Sequence, residues 1–256
     1  MSELDQVKER ELEFHNIIFS QTSWEEGPRS ATLKYYDTVK NNRVAYTEAI
    51  RAYGKGKDIL EYGCGSDGYC FEYVHDAKSV SGIDISDVAI EAATEKARSL
   101  GLTNTSFAVM DAENMTFPDN SFDVVFGSGI LHHLSVEKSA KEIARVLRPG
   151  GVAIFTEPMG HNPVINLYRM LTPKLRTPDE HPFLMSDFKI LGTYFGRIES
   201  SFHNLLATGA VVFRPFPFFP QALRILENLD AFLFRVFPYL KRHAWMSIFL
   251  CFEPRK

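Results

Sequence analysis

Between residues 55 and 158 the chain repeats one unit: a short apolar or β-branched run, a turn, and then a helical stretch. This alternation is typical of βα units whose strands lie parallel in one sheet. The runs are mostly apolar throughout, as expected when helices cover both faces of a sheet. The predicted strands are residues 58–62, 79–84, 106–111, 122–128 and 152–157.

Two flanking segments lack this rhythm, and we expect them to complete a single domain rather than to form separate ones. Residues 1–54 are predicted to form a helical lid beside the core at 55–158. Residues 159–256 hold a strand-like region at 190–201, a Phe-rich helical insertion and a closing strand at 245–252. The sequence therefore predicts an α/β fold with a doubly wound, mostly parallel sheet.

Composition and charge narrow the possible partners. The formal net charge is -4 and the isoelectric point is about 6.1, so no cationic field is available for a nucleic-acid backbone. Cys64, Cys70 and Cys251 show neither a disulfide spacing nor a zinc-type repeat, which favours a reducing cytoplasm and predicts no metal site. The charged N-terminus and the lack of a long apolar run predict neither a secretory signal nor a membrane span.

The turn after the first predicted strand brings glycines to the edge of the sheet. Gly63 and Gly65 allow a tight turn and let a ligand approach main-chain N–H groups closely. The same string also satisfies the G-x-G-x-x-G pattern of nicotinamide dinucleotide enzymes. Asp84 ends the second strand, where an acid would bind ribose hydroxyls in either class, so these residues leave both cofactors open.

Three further features favour S-adenosylmethionine. Glu61 lies two residues before the first glycine, where its carboxylate would meet an amino-acid head group or orient the loop. Asp111 and Ala112 end the third strand and place an acceptor where an adenine amino group would donate. Residues 148–151, Arg-Pro-Gly-Gly, precede the fifth strand. These three features together are a far more specific signal for S-adenosylmethionine than the glycines are.

With these motifs in order, the chain resembles the class I S-adenosylmethionine-dependent methyltransferases, in particular the small-molecule group that includes ubiquinone and menaquinone methyltransferases. The resemblance covers roughly residues 55–158. It implies a Rossmann-like sheet of seven strands with an antiparallel C-terminal strand, S-adenosylmethionine as cofactor and a small-molecule acceptor. The matching stretches are residues 59–65, 82–86, 110–113, 122–125, 131–134 and 147–151.

The resemblance also implies roles for single residues. The glycine loop and Asp84 would hold the methionyl and ribose parts, Asp111 the adenine, and Ser128 would line the methionyl pocket. Asp67 departs from the family, which commonly has glycine there, and it would contact the cofactor ammonium or cap a helix. The cofactor residues predicted in this way are Glu61, Gly63, Cys64, Gly65, Asp84, Ile85, Asp111, Ala112 and Ser128.

Histidines are the candidates for proton transfer. Methyl transfer from a sulfonium requires the acceptor atom to be aligned with the methyl group and water to be excluded. A general base helps only when the acceptor carries a proton that it must lose. His132 and His133 follow the fourth strand, whereas His181 lies in a connection able to cover the pocket. The alternative roles are helix capping or packing for the first two and a solvated loop for His181.

Seven of the 21 phenylalanines fall between Phe213 and Phe237. Residues 222–237 show helical apolar spacing, which indicates core packing, an apolar substrate pocket, a dimer surface or membrane-surface contact through residues 213–243. Among the specific roles we rank the pocket first, which predicts methyl transfer to a small apolar or aromatic metabolite at oxygen, nitrogen or carbon. The alternatives are an NAD-dependent oxidoreductase and an inactive binding protein with the same fold.

Overall fold

The computed structural model describes residues 3–19, 35, 37–173 and 180–256. Part of the predicted lid, residues 20–34 and 36, lies outside the described residues, as do residues 174–179. Within the described residues seven strands form one sheet in the order β3-β2-β1-β4-β5-β7-β6. They are β1 Asp58–Tyr62, β2 Ser79–Asp84, β3 Thr105–Val109, β4 Phe122–Ser128, β5 Leu147–Pro158, β6 Phe195–His203 and β7 Met246–Pro254.

Strands β1 to β5 pair in parallel, and β7 runs antiparallel to both β5 and β6. This confirms the predicted Rossmann-like sheet with its antiparallel C-terminal strand. Because the strand order reverses between β1 and β4, a crevice is expected outside the carboxyl ends of these strands. We therefore expect the functional site at the carboxyl edge of the sheet.

The described helices are α1 Glu3–Phe19, α2 Lys40–Gly54, α3 Asp87–Ser99, α4 Val136–Val146, α5 Pro163–Leu171, α6 Asp187–Tyr194 and α7 Phe219–Val236. Their ends follow local chemistry. The Ser86 hydroxyl accepts a hydrogen bond from the Ala89 amide at 3.1 Å and caps α3. Ser135 caps α4 in the same manner. Short 3₁₀ turns at Tyr69–Glu72 and Leu131–His133 follow β1 and β4.

Two apolar layers form, one on each face of the sheet, because successive strand residues point to opposite faces. On one face Ile59 and Val124 pack with Tyr46 and Ile50 of α2. On the other face the strand residues Leu60, Val125 and Phe155 pack with the helix residues Ile143 and Ala144 of α4 and Leu191 of α6. The sheet is therefore rigid and covered on both faces, which fixes the positions of its strand ends.

The residue 148–151 motif has a structural role at the opposite edge of the sheet. The Arg148 guanidinium donates to Asp58 at 2.8 Å and to Asp123 at 2.7 Å. Hydrogen bonds from Ser79, Lys78 and Arg148 hold the pKa of Asp58 well below its usual range. The motif thus joins the beginnings of β1 and β4 and lies far from the carboxyl edge.

Two expectations about the C-terminal part need correction. Residues 190–194, predicted as strand, belong to helix α6, and β6 begins only at Phe195. The predicted apolar face of α7 is also only partly inward. Leu223 packs with Ala207 and Ala210, while Phe232 and Val236 are exposed. A short amphipathic segment does not by itself reveal which neighbour will cover it.

Candidate functional site

A cavity of about 710 Å³ lies at the carboxyl ends of β1, β2 and β4. Its size falls within the range of small-molecule sites. It is lined by every residue predicted to bind the cofactor: Glu61, Gly63, Cys64, Gly65, Asp84, Ile85, Asp111, Ala112 and Ser128. The structure therefore brings together residues that span 68 positions of sequence, from 61 to 128.

Glu61 orients the loop. Its side chain is only 2% exposed, and its two oxygens accept hydrogen bonds from the amides of Tyr69 at 3.0 Å and Cys70 at 2.7 Å. Burial raises the pKa of Glu61 to about 7, against the opposing effect of these amides. Of the two roles considered from sequence, the structure shows the loop contacts.

Gly68 makes this arrangement possible. A Cβ atom at Gly68 would collide with Glu61 Oε2 and would approach the Cys64 carbonyl oxygen to 2.7 Å. Gly63 and Gly65 have positive φ angles of 76° and 57°, which side chains rarely adopt. The glycine that the loop needs therefore stands at 68 rather than 67.

Asp67 lies at the cavity wall together with Lys96 of α3. Its side chain is 78% exposed and pairs with Lys96. The carboxylate is thus turned toward α3, and neither of its two predicted roles is needed to explain its position. The departure at this position consequently gives no physical reason for the site to be inactive.

Asp84 bridges two loops at the cavity wall. One carboxylate oxygen accepts from the Gly65 amide at 2.8 Å, and the other accepts from the Ser86 amide at 2.9 Å. Each carboxylate oxygen has a second lone pair available. Asp84 can therefore hold the glycine loop and still accept two hydroxyl protons from a ligand in the cavity.

Asp111 meets a residue that the sequence did not single out. The Lys8 ammonium of α1 lies 2.5 Å from Asp111 Oδ2 and 3.2 Å from Glu113 Oε2. Burial lowers the pKa of Lys8, but the two carboxylates outweigh it and the net shift is upward. The Tyr62 hydroxyl donates to the Ala112 carbonyl at 2.6 Å and fixes the same loop from below.

The two adjacent histidines occupy different environments. His132 is buried, and its Nδ1 lies 2.7 Å from Glu157 Oε2. The other Glu157 oxygen accepts from the amides of Ile130 at 3.0 Å and Leu131 at 2.8 Å. Burial lowers the pKa of His132 despite this carboxylate. His132 and Glu157 thus fix the turn after β4.

His133 extends from that turn into the cavity lining, whereas His132 and His181 are not among the lining residues. The His181 ring is exposed, with Nε2 3.3 Å from the Leu134 carbonyl oxygen. Its amide donates to the His132 carbonyl at 2.9 Å, so it supports the turn through its backbone. Among the three predicted histidines, only His133 lines this cavity.

The contribution of α1 was missed in the sequence. Val7, Lys8, Glu11 and His15 all line the cavity. They come from one face of a helix that the sequence predicted only as a general lid. The spacing of Lys8, Glu11 and His15 over two helical turns was the available signal, but it had no partner until the fold was known.

Residues 60–155 match the methyltransferase domain family. The chain is 43% identical over 102 residues to sterol 24-C-methyltransferase erg6 of Aspergillus fumigatus, covering 38% of this chain and 27% of that relative. It is 32% identical over 157 residues to phthiotriol/phenolphthiotriol dimycocerosates methyltransferase 1 of Mycobacterium ulcerans, covering 58% and 56%. The chain therefore spans at most about half the length of these two relatives.

The fold is similar to that of phosphoethanolamine N-methyltransferase 2 of Haemonchus contortus, solved in complex with S-adenosyl-L-methionine. The TM-score is 0.62 at 18% identity, and the match covers 92% of this chain and 61% of the other. At this identity the likeness concerns the fold.

Proposed function

We propose that this chain, whose residues 60–155 match the methyltransferase domain family, transfers a methyl group from S-adenosylmethionine to a small, apolar acceptor. One observation carries the proposal: all nine residues expected to hold the cofactor line a single cavity. The rigid sheet keeps their strand ends in place, so the cofactor can bind without reorganising the core.

The proposed division of the cavity follows the chemistry of its walls. The amides of the Gly63–Gly65 turn and the Asp84 carboxylate suit the methionyl and ribose parts of the cofactor. The Asp111 loop suits the adenine. When S-adenosylmethionine is bound it supplies an activated methyl group, and the protein's task is to orient the acceptor and exclude water.

The acceptor is proposed to enter between α1 and the turn after β4. The apolar side chains of Ile130, Leu134 and Val7 line this part of the cavity together with His133. The named substrates of the two similar relatives, a sterol and a dimycocerosate, are apolar lipids. These observations support an apolar acceptor, and they leave oxygen, nitrogen or carbon as the attacking atom.

We assign His133 as the residue that accepts a proton from an acceptor that has one to lose. It lines the cavity, and Glu157 holds the turn that carries it through the amides of Ile130 and Leu131. His132 supports that turn, and His181 lies outside the lining. His133→Ala is expected to bind cofactor normally and to lose at least tenfold in turnover, while His181→Ala retains both.

The experiment that tests the proposal is incubation with S-adenosylmethionine labelled in its methyl group and a fractionated small-molecule extract. The label is expected in an apolar compound. A labelled protein or nucleic-acid fraction would contradict the acceptor class. Stabilisation against heat by NAD, with none by S-adenosylhomocysteine, would instead favour the oxidoreductase alternative.

Asp84→Ala supplies the matched test of the cofactor site. Losing a charged acceptor should weaken S-adenosylhomocysteine binding by about tenfold or more, since hydrogen bonds to charged groups contribute roughly 1.5–3 kcal/mol. Asp76→Ala, an exposed carboxylate elsewhere, should bind as the wild type does. Calorimetry measures both, and equal affinities in the two variants would remove Asp84 from the site.

We also propose that residues 213–243 contact a membrane surface from which an apolar acceptor is drawn. None of these residues lines the cavity described above. Phe232 and Tyr239 are exposed, and the basic residues Lys241 and Arg242 follow Tyr239 in the sequence. Among the described residues, no helix has the length and apolarity needed to cross a bilayer.

A further inference from the structure

Three side chains that cofactor binding does not account for converge at the cavity wall. Glu11 and His15 lie one turn apart on α1, and His133 faces them from the turn after β4. Glu11 Oε2 is 3.1 Å from His133 Nδ1 and 3.5 Å from His15 Nε2. One ligand atom from each of the three residues lies within 4.8 Å of the others.

These separations match a coordination shell. Around zinc, with nitrogen and oxygen ligands at about 2.0–2.2 Å, neighbouring ligands of a tetrahedron are about 3.3–3.6 Å apart. Glu11 Oε2 lies 3.1 Å from His133 Nδ1 and 3.5 Å from His15 Nε2, both close to that separation, and the two histidine nitrogens lie within 4.8 Å of each other. Two imidazoles and one carboxylate are also the donor set that open zinc sites and non-haem iron sites use.

The orientation of His133 gives an independent reason. Its Nδ1 is buried and makes no hydrogen bond within the described residues, although Glu11 Oε2 is only 3.1 Å away. A buried nitrogen that lies so close to a carboxylate without hydrogen-bond alignment fits two ligands aimed at a common third point. Buried polar atoms normally have such a partner.

A second histidine cluster nearby is less suited to a cation. His132 Nε2 lies 3.9 Å from Glu180 Oε1, but the same oxygen lies 2.7 Å from Arg169. The Arg169 guanidinium already neutralises Glu180 and would repel a metal ion.

We propose that Glu11, His15 and His133 bind one divalent cation of the zinc class at the wall of the cavity. The ion would join α1 to the turn after β4 and leave a further coordination position for water or for an oxygen atom of the acceptor. A metal-bound His133 has no lone pair left to accept a proton, so bound Zn²⁺ is expected to block the proton transfer that the proposed function assigns to this residue. The inference stands apart from methyl transfer, since its test measures ion binding.

The test uses the full chain, freed of metal by chelator and dialysed, and titrated with Zn²⁺ in a calorimeter. One ion per chain is expected. Glu11→Gln, His15→Ala and His133→Ala should each weaken binding at least tenfold. Glu13→Gln, an exposed residue of the same helix, and His75→Ala, an exposed histidine elsewhere, should bind like the wild type.

Two outcomes would overturn the site: no Zn²⁺ bound by the wild type, or the same affinity in the three variants as in the two controls. Should a variant fail to fold, Co²⁺ added to the wild type gives a second measurement. Visible absorption typical of tetrahedral cobalt is expected, and its absence would likewise contradict the site. Methyl transfer that survives chelator while Zn²⁺ binds would leave this site intact and exclude a role for it in catalysis.

Discussion

At the residue scale, the conformation of the glycine loop depends on Gly68, a position that the family's glycine pattern does not emphasise. Gly68 leaves room for Glu61, and Glu61 in turn holds two loop amides. The family pattern draws attention to residue 67, because glycine is common there. In the folded chain, the position that has no room for a side chain is residue 68, one residue later.

Gly68→Ala should therefore destabilise the protein by about 1–3 kcal/mol, the usual cost of forcing an extra carbon into a packed site. Cofactor binding should fall with it, since the Glu61 contacts must move. Gly192→Ala is the matched control, because no atom lies within 4 Å of the added Cβ and alanine favours the helix. Denaturant unfolding compares the two; equal stabilities would show that the loop accommodates a side chain.

Glu61 is expected to make stability depend on pH. Its folded-state pKa of about 7 lies above the ordinary value of 4.5, so the folded protein holds this proton more tightly than the unfolded chain. The contribution is complete below pH 4.5 and is lost as the pH rises through 7. The slope is at most about 1.4 kcal/mol per pH unit.

Glu61→Gln removes that titration. The difference in unfolding free energy between wild type and variant should fall as the pH rises from 4.5 to 7 and then level off, because glutamine cannot lose a proton. Urea unfolding at several pH values measures it. A difference that stays constant over this range would assign Glu61 an ordinary pKa.

At the scale of elements, α1 is held over the cavity by polar side chains at several points. Lys8 pairs with Asp111, Glu11 lies beside His133, and Asn16 hydrogen-bonds to Asp87 at 3.0 Å and to the Ser86 hydroxyl at 2.5 Å. Loss of these polar contacts is expected to let α1 move away from the cavity. An opening helix provides a route for cofactor exchange.

Lys8→Ala should speed the release of S-adenosylhomocysteine. The Lys8 and Asp111 side chains are 30% and 31% exposed, so the pair contributes no more than about 1 kcal/mol and the rate should rise up to about fivefold. Lys40→Ala, which removes an exposed pair with Asp37, is the control. Dilution of a radiolabelled complex gives both rates, and unchanged release would show that Lys8 does not restrain α1.

At the scale of the whole molecule, α5 and α7 carry apolar side chains on the surface. Met170 and Leu171 are 70% exposed, Phe232 is 59% and Tyr239 is 67%. A concentration of large exposed apolar side chains commonly marks an interaction surface. These side chains do not line the cavity at the carboxyl ends of the strands, and the substrate-pocket role that the sequence ranked first stays a prediction.

Liposome flotation tests the proposed membrane contact. The wild type should float with vesicles containing anionic lipid, and the double variant Phe232→Ser with Tyr239→Ser should float at least tenfold less, since each buried large side chain contributes about 1.5–3 kcal/mol. Leu100→Ser, equally exposed but outside this surface, should behave as the wild type. If the wild type sediments as a dimer and the double variant sediments as a monomer, the surface would instead be assigned to self-association.

The sequence by itself determined the sheet and the strand-end residues that line the cavity. Strands β1, β2 and β4 lie where the apolar runs predicted them, because those runs are buried on both faces and tolerate little else. The glycines and Asp84 follow directly at strand ends, so knowing the strands also located them. Short-range patterns were sufficient there.

Only the tertiary structure decided which distant residues share the cavity wall. Glu11 and His133 are 122 positions apart, and no spacing rule connects a helix at the N-terminus with the turn after β4. The same holds for Lys8 and Asp111, and for the side of α7 that stays exposed. These contacts depend on how whole elements pack, because a helical face acquires its role only from the surface that it meets.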